Sequence, residues 1–149
     1  MARVAEAVPA GAVAVAPSDV ARFEFSRARF DAVIVDLDGT MVDTLGDFDA
    51  VLNRMLAELG LPGVARAFIE RTVGKGSEHL IRSTLAHVGA SEALFDDAWA
   101  CYQRLYLAIN GEFADVYPGV AEGLAAWRAA GFRLACLTNK PGAFATGLL

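Results

Sequence analysis

The sequence predicts an α/β protein, a parallel sheet with helices packed on it, interrupted by an all-helical insertion. Three observations predict it. Ala32 to Val35 is a short apolar run rich in β-branched residues that stops at a carboxylate, Asp36, as a buried strand of a parallel sheet would. Much later, Phe132 to Leu137 repeats the arrangement and stops at Thr138-Asn139. Between them, from Thr44 to Asn110, the apolar residues keep the spacing of helices and nowhere the alternation of strands. Two parallel strands joined by a helical crossover bring their carboxyl ends to one crevice, where open α/β sheets bind ligands.

The elements follow in order. Residues 1–29 are Ala- and Val-rich, broken by Pro9, Gly11 and Pro17, and read as a loosely ordered extension; an upstream start codon would account for them equally. In the first 21 residues only Arg3 is basic and Glu6 intrudes, so a secretory signal is not expected. After the first strand, Asp43 or Thr44 caps a helix running to Leu59, with Phe48, Leu52, Met55 and Leu59 on one face and Gly60 as its stop. A short amphipathic piece, Ala65 to Val73, leads into Gly74-Lys75-Gly76. Ser77 caps the next helix, striped by Leu80, Ile81, Thr84, Leu85 and Val88. Ser91 opens a third long helix, with Leu94, Ala98, Cys101, Leu105 and Ile109 inward. Tyr117-Pro118-Gly119 turns into a helix over Val120 to Ala130, the second strand follows, and Pro141 opens another helix. The expected division is an extension over 1–29, an α/β core over 30–44 and 116–149, and a helical insertion over 45–115.

Asp36 and Asp38 stand one residue apart at the end of a buried strand. Like charges held there repel and lose hydration, a cost that a bound cation or a shared proton relieves. Gly39 turns the backbone with no Cβ in the way, so that peptide N–H groups can approach an anion. Asp36 and Asp38 are therefore the expected reacting centre. An Asp-x-Asp-Gly turn alone could belong to a calcium loop, but such a loop needs further acidic ligands at regular spacing, and only Asp43 follows nearby.

VIVDLDGTMVDT resembles the first motif of the haloacid dehalogenase-like superfamily, an apolar strand followed by D-x-D-G-T, and LACLTNK resembles its second. With VGKGSEHLI, YPGV and LTNKPGAF, the chain from Phe30 to Leu149 is similar to the phosphoglycolate phosphatases of that superfamily. The resemblance implies a Rossmann-like parallel core with a helical cap, and a Mg²⁺-dependent phosphomonoesterase acting on a small organic phosphate, 2-phosphoglycolate first among them. A sugar phosphomutase or another small-phosphate phosphatase is the nearest rival. It implies that Asp36 is the nucleophile and a metal ligand, and that Asp38 is the general acid and base, also at the metal. It further implies that Gly39, Thr40, Thr138 and Asn139 hold the phosphoryl group, and that Gly74, Lys75 and Gly76 face the substrate's other end. A hydrolytic dehalogenase lacks the second aspartate, so Asp38 favours phosphate chemistry.

The remaining features exclude more than they assign. The net charge of −5 and the absence of a basic block argue against a nucleic-acid surface. No uncharged apolar run approaches the roughly 18 residues that span a bilayer. Cys101 and Cys136 are too few for a disulfide framework and read as buried thiols of a cytoplasmic protein. His79 and His87 lack a clustered acid, and Gly74-Lys75-Gly76 lacks the spacing of a Walker loop. The superfamily's third motif, a lysine, and its fourth, an acidic group, are expected downstream of the second. The sequence ends eleven residues after Thr138, and Lys140 follows the second motif too closely to be that lysine. The expectation is a chain cut short, with impaired catalysis or a purely binding role, and with apolar sheet surface left open.

Overall fold

The structure, a computed structural model, describes residues 30–149; the reading of the N-terminal extension lies outside them. Strand β1 (Ala32–Val35) pairs in parallel with β4 (Arg133–Cys136), in the register Val33 to Leu134 and Val35 to Cys136. A second pairing is antiparallel, between the two-residue strands β2 (Val42–Asp43) and β3 (Asp115–Val116). Strands this short carry no readable period, and this ribbon was not expected. It fixes where the first helix starts relative to the aspartates. Between the two halves of the ribbon every element is helical: α1 (Leu45–Glu58), α2 (Arg66–Thr72), α3 (Ser77–His87), a 3₁₀ turn (Glu92–Leu94) and α4 (Phe95–Ile109). Helix α5 (Val120–Ala129) is the crossover into β4, and Pro141 precedes the short α6 (Gly142–Ala145). Residues 31–149 form one compact unit.

Two clusters of buried side chains hold this unit together. The larger joins the helices: Val51, Leu52, Met55 and Leu56 of α1, Ile69 of α2, Ile81 of α3 and Ala98, Tyr102 and Tyr106 of α4. Phe144 of α6 inserts into the same cluster, its ring 4.6 Å from that of Tyr106. The expected α4 stripe misses its deepest members, Tyr102 and Tyr106, which are fully buried while Leu94 and Leu105 lie at the margin. The smaller cluster lies under the first motif, where Leu37, Met41, Val42 and Ala145 pack with Val35, Leu124 and Cys136. Both cysteines are free thiols, and burial raises the pKa of each.

The apolar sheet surface expected to be left open is present, while the end of the second strand and two helix caps depart from expectation. Val33, Val35, Leu134 and Cys136 are half-buried, whereas Ile34 on the opposite face is 64% exposed. Only two strands form this sheet among the described residues, and helix α5 covers one side. Leu137 was placed in the second strand; it lies past the last pair and is 71% exposed. Thr44 occupies the cap position of α1 without capping it, because its hydroxyl donates to Asp38; Asp43 instead accepts from the Leu45 N–H at 3.1 Å. Likewise Ser77 is the first residue of α3, the cap position being Gly76, and its side chain makes no capping bond.

Candidate active site

The first motif is a turn wound on one carbonyl. Leu37 is fully buried, and its carbonyl accepts from the N–H groups of Met41 and Val42, both at 3.0 Å, and of Thr40 at 3.3 Å. Side chains alternate along extended backbone, so burying Leu37 turns Asp36 and Asp38 together toward the opposite side. Asp36 Oδ1 accepts from the Leu37 N–H at 2.8 Å. Gly39 takes the left-handed φ of 76° that closes the turn. Its N–H donates to Val42 at 2.8 Å, so the N–H groups of Gly39 and Thr40 point back into the turn rather than toward an anion.

The parallel register places the residues after β4 beside those after β1. Asp36, Asp38, Thr138, Asn139 and Lys140 line one pocket, and Phe48, Val73, Gly74, Gly76, Ser77 and Leu80 of the helical segment form its other walls. The Lys140 N–H donates to the Thr138 hydroxyl at 3.2 Å, which leaves that hydroxyl its own proton to donate. The Asn139 side-chain amide donates to the Gly74 carbonyl at 2.9 Å, tying the second-motif loop to the glycine turn. Of the residues singled out from sequence, the structure brings together Asp36, Asp38, Thr138, Asn139, Gly74 and Gly76. Gly39, Thr40 and Lys75 are exposed and do not line the pocket.

Lys140, set aside from sequence as a loop lysine, is inside. Its side chain is 2% exposed, and Nζ donates to Asp38 Oδ1 at 2.9 Å and to the Tyr106 hydroxyl at 2.6 Å. The ammonium also stands over the rings of Phe48 and Tyr106, 4.8 and 4.7 Å from their centroids. Burial pushes its pKa below the ordinary lysine value, while Asp38, through charge and hydrogen bond, and then Asp47 pull it back up. The Thr44 hydroxyl donates to the same Asp38 Oδ1 at 2.7 Å. The cation that the paired carboxylates called for is thus supplied in part by the chain. One signal could have found it: the sequence has only two lysines, and this one follows a strand end directly.

A family description, haloacid dehalogenase-like hydrolase, matches residues 30–149. The chain belongs to that family. It is 44% identical over 119 residues to a plasmid-encoded phosphoglycolate phosphatase of Cupriavidus necator, an alignment covering 79% of this chain and 52% of that one. It is 43% identical over 121 residues to a phosphoglycolate phosphatase of Nitrosospira multiformis, covering 79% and 53%. Among solved structures, a predicted phosphoglycolate phosphatase from Haemophilus somnus superposes with a TM-score of 0.71 at 27% identity, over 78% of this chain and 55% of that one. The chain therefore spans about half the length of the curated relatives it matches. Membership accounts for the D-x-D-G-T turn at a strand end and for the second strand lying beside it in parallel.

The donor set has the chemistry that a hard cation takes. Asp36 offers an exposed carboxylate with only Oδ1 engaged, and Asp38 stands next to it. Among the described residues no three carboxylate, imidazole or thiol side chains gather around one point. These residues fit only a small part of a hard cation's oxygen shell.

Proposed function

We propose that this chain carries the nucleophile half of a Mg²⁺-dependent phosphomonoesterase site, with a small phosphorylated metabolite, 2-phosphoglycolate in the first instance, as substrate. The observation that carries this reading is the convergence of Asp36, Asp38 and Thr138 in one pocket under the Gly74–Ser77 turn. The relatives named as phosphoglycolate phosphatases support the substrate. In this reading residues 30–44 and 116–149 are the catalytic core, and 45–115 are a cap whose glycine turn faces the end of the substrate away from phosphorus. Among the described residues no helix is long and apolar enough to cross a membrane.

The chemistry is a double displacement. A carboxylate oxygen of Asp36 attacks phosphorus in line, an O–P bond forms, and the ester P–O bond breaks. Asp38 gives its proton to the departing alkoxide. It then takes a proton from water as that water attacks phosphorus, which releases inorganic phosphate and restores the Asp36 carboxylate. The Thr138 hydroxyl and the Asn139 backbone N–H hold the phosphoryl oxygens. Asp36 and Asp38 would hold Mg²⁺, which when bound would supply charge neutralisation at those oxygens. Because Asp38 Oδ1 already receives Thr44 and Lys140, Oδ2 is the oxygen that exchanges the proton.

The test is turnover of 2-phosphoglycolate by the 149-residue chain with Mg²⁺, beside Asp36→Asn. Release of phosphate that the substitution abolishes supports the reading. Absence of turnover by soluble, folded chain, or turnover that survives the substitution, overturns it.

A further inference from the structure

We propose that Lys140 is a positioning residue for Asp38, a role that rests on the phosphatase reading above. Lys140 is held at three points: its Nζ reaches the Tyr106 hydroxyl, stands over two aromatic rings, and donates to Asp38 Oδ1. A four-carbon stem in water would leave the ammonium free to roam, but this one is walled in and ion-pairs directly with Asp38. Thr44 donates to the same oxygen at 2.7 Å. Two donors on Oδ1 fix the rotation of the carboxyl group, and Oδ2 is what remains to meet a leaving group.

A second consequence concerns the helical segment. Tyr106 lies on α4 and Phe48 on α1, so the lysine that orients the acid is itself seated by the helices expected to cover the substrate. Lys140 thereby links the seating of those helices to the readiness of Asp38. Asn139, next in the chain, reinforces the link through its bond to Gly74.

The role predicts a dependence on the leaving group that simple loss of structure does not. An alkyl ester such as 2-phosphoglycolate needs its alkoxide protonated as the bond breaks, whereas a nitrophenyl phosphate expels a stable phenolate and needs this far less. Lys140→Met should lower kcat for 2-phosphoglycolate by about 10²-fold, with KM little changed, and lower kcat for nitrophenyl phosphate by no more than about threefold. Tyr106→Phe keeps the ring, removes only the hydroxyl, and should give a smaller loss in the same sense. Equal losses on both esters would overturn the proposal.

A second readout needs no turnover. The sequence has two lysines, exposed Lys75 and buried Lys140, so acetic anhydride labelling followed by peptide mass spectrometry carries its own control. Lys140 should react at least about tenfold more slowly than Lys75, because its amine is released only by local opening, and Asp38→Ala should narrow that difference. Equal reactivity of the two lysines in the native chain, or no response to Asp38→Ala, would overturn the proposal. If the native chain turned over neither ester, the phosphatase reading would fall, and the labelling would still decide whether Lys140 is held by Asp38.

Discussion

Asp47 stands in the first turn of α1 with its side chain fully buried, which is costly for a carboxylate unless its oxygens are used. Both are. Oδ2 accepts from the Gly111 N–H at 2.7 Å and Oδ1 from the Phe113 N–H at 2.8 Å, so one side chain ties the start of α1 to the loop after α4. The neighbouring Gly46 is small for the same reason, since a Cβ there would collide with the Phe113 carbonyl. Asp47→Asn keeps the shape but turns an amide N–H₂ toward one of the two donors. It should cost about 2–4 kcal/mol in urea unfolding, the range for a buried charged acceptor losing one bond and leaving a donor unmet. A cost under about 0.5 kcal/mol would mean that this loop is not held by Asp47.

At the scale of elements, the exposed side of the two-stranded sheet has a direct consequence. Ile34 and Leu137 present apolar surface beside backbone edges, the arrangement that recruits further chain. Ile34→Lys alters a largely exposed side chain and should reduce self-association in light scattering without lowering Tm; unchanged association would place the contact elsewhere. These elements also show what the sequence could express. Helices α1, α3 and α4 were legible because their stripes are long, β1 because a β-branched run ends at Asp36, and β4 because a short, largely apolar run ends at Thr138. The β2–β3 ribbon was not, since two residues have no period. The aspartates and Thr138 were legible through local order, one carboxylate after another at a strand end. Lys140 was not, because its place depends on Tyr106 and Phe48, residues far away in the chain that read only as helix core.

At the scale of the whole molecule, the tyrosines of α4 set the response to alkali. Burial above all raises the pKa of both Tyr102 and Tyr106 far above the ordinary value of about 10. Groups whose folded pKa is raised contribute stability that is fully present below the unfolded value and lost as pH rises past it. Lys140, whose folded pKa is lowered, acts in the opposite sense: its buried charge disfavours folding until the amine loses its proton, so its own contribution improves with rising pH. Two large shifts outweigh one opposing shift, and Tm should fall steeply above about pH 10. Tyr106→Phe should make that fall shallower; an unchanged slope would show that Tyr106 ionises as freely in the folded chain as in the unfolded one. In the proposed reaction Asp36 is the group that takes the phosphoryl group. Acid quenching of the 149-residue chain during reaction with radiolabelled 2-phosphoglycolate and Mg²⁺, followed by peptide mapping, tests this. Label on the peptide bearing Asp36, removed by hydroxylamine and absent from Asp36→Asn, is the result expected. Turnover with no label on that peptide, or label that persists in Asp36→Asn, would contradict it.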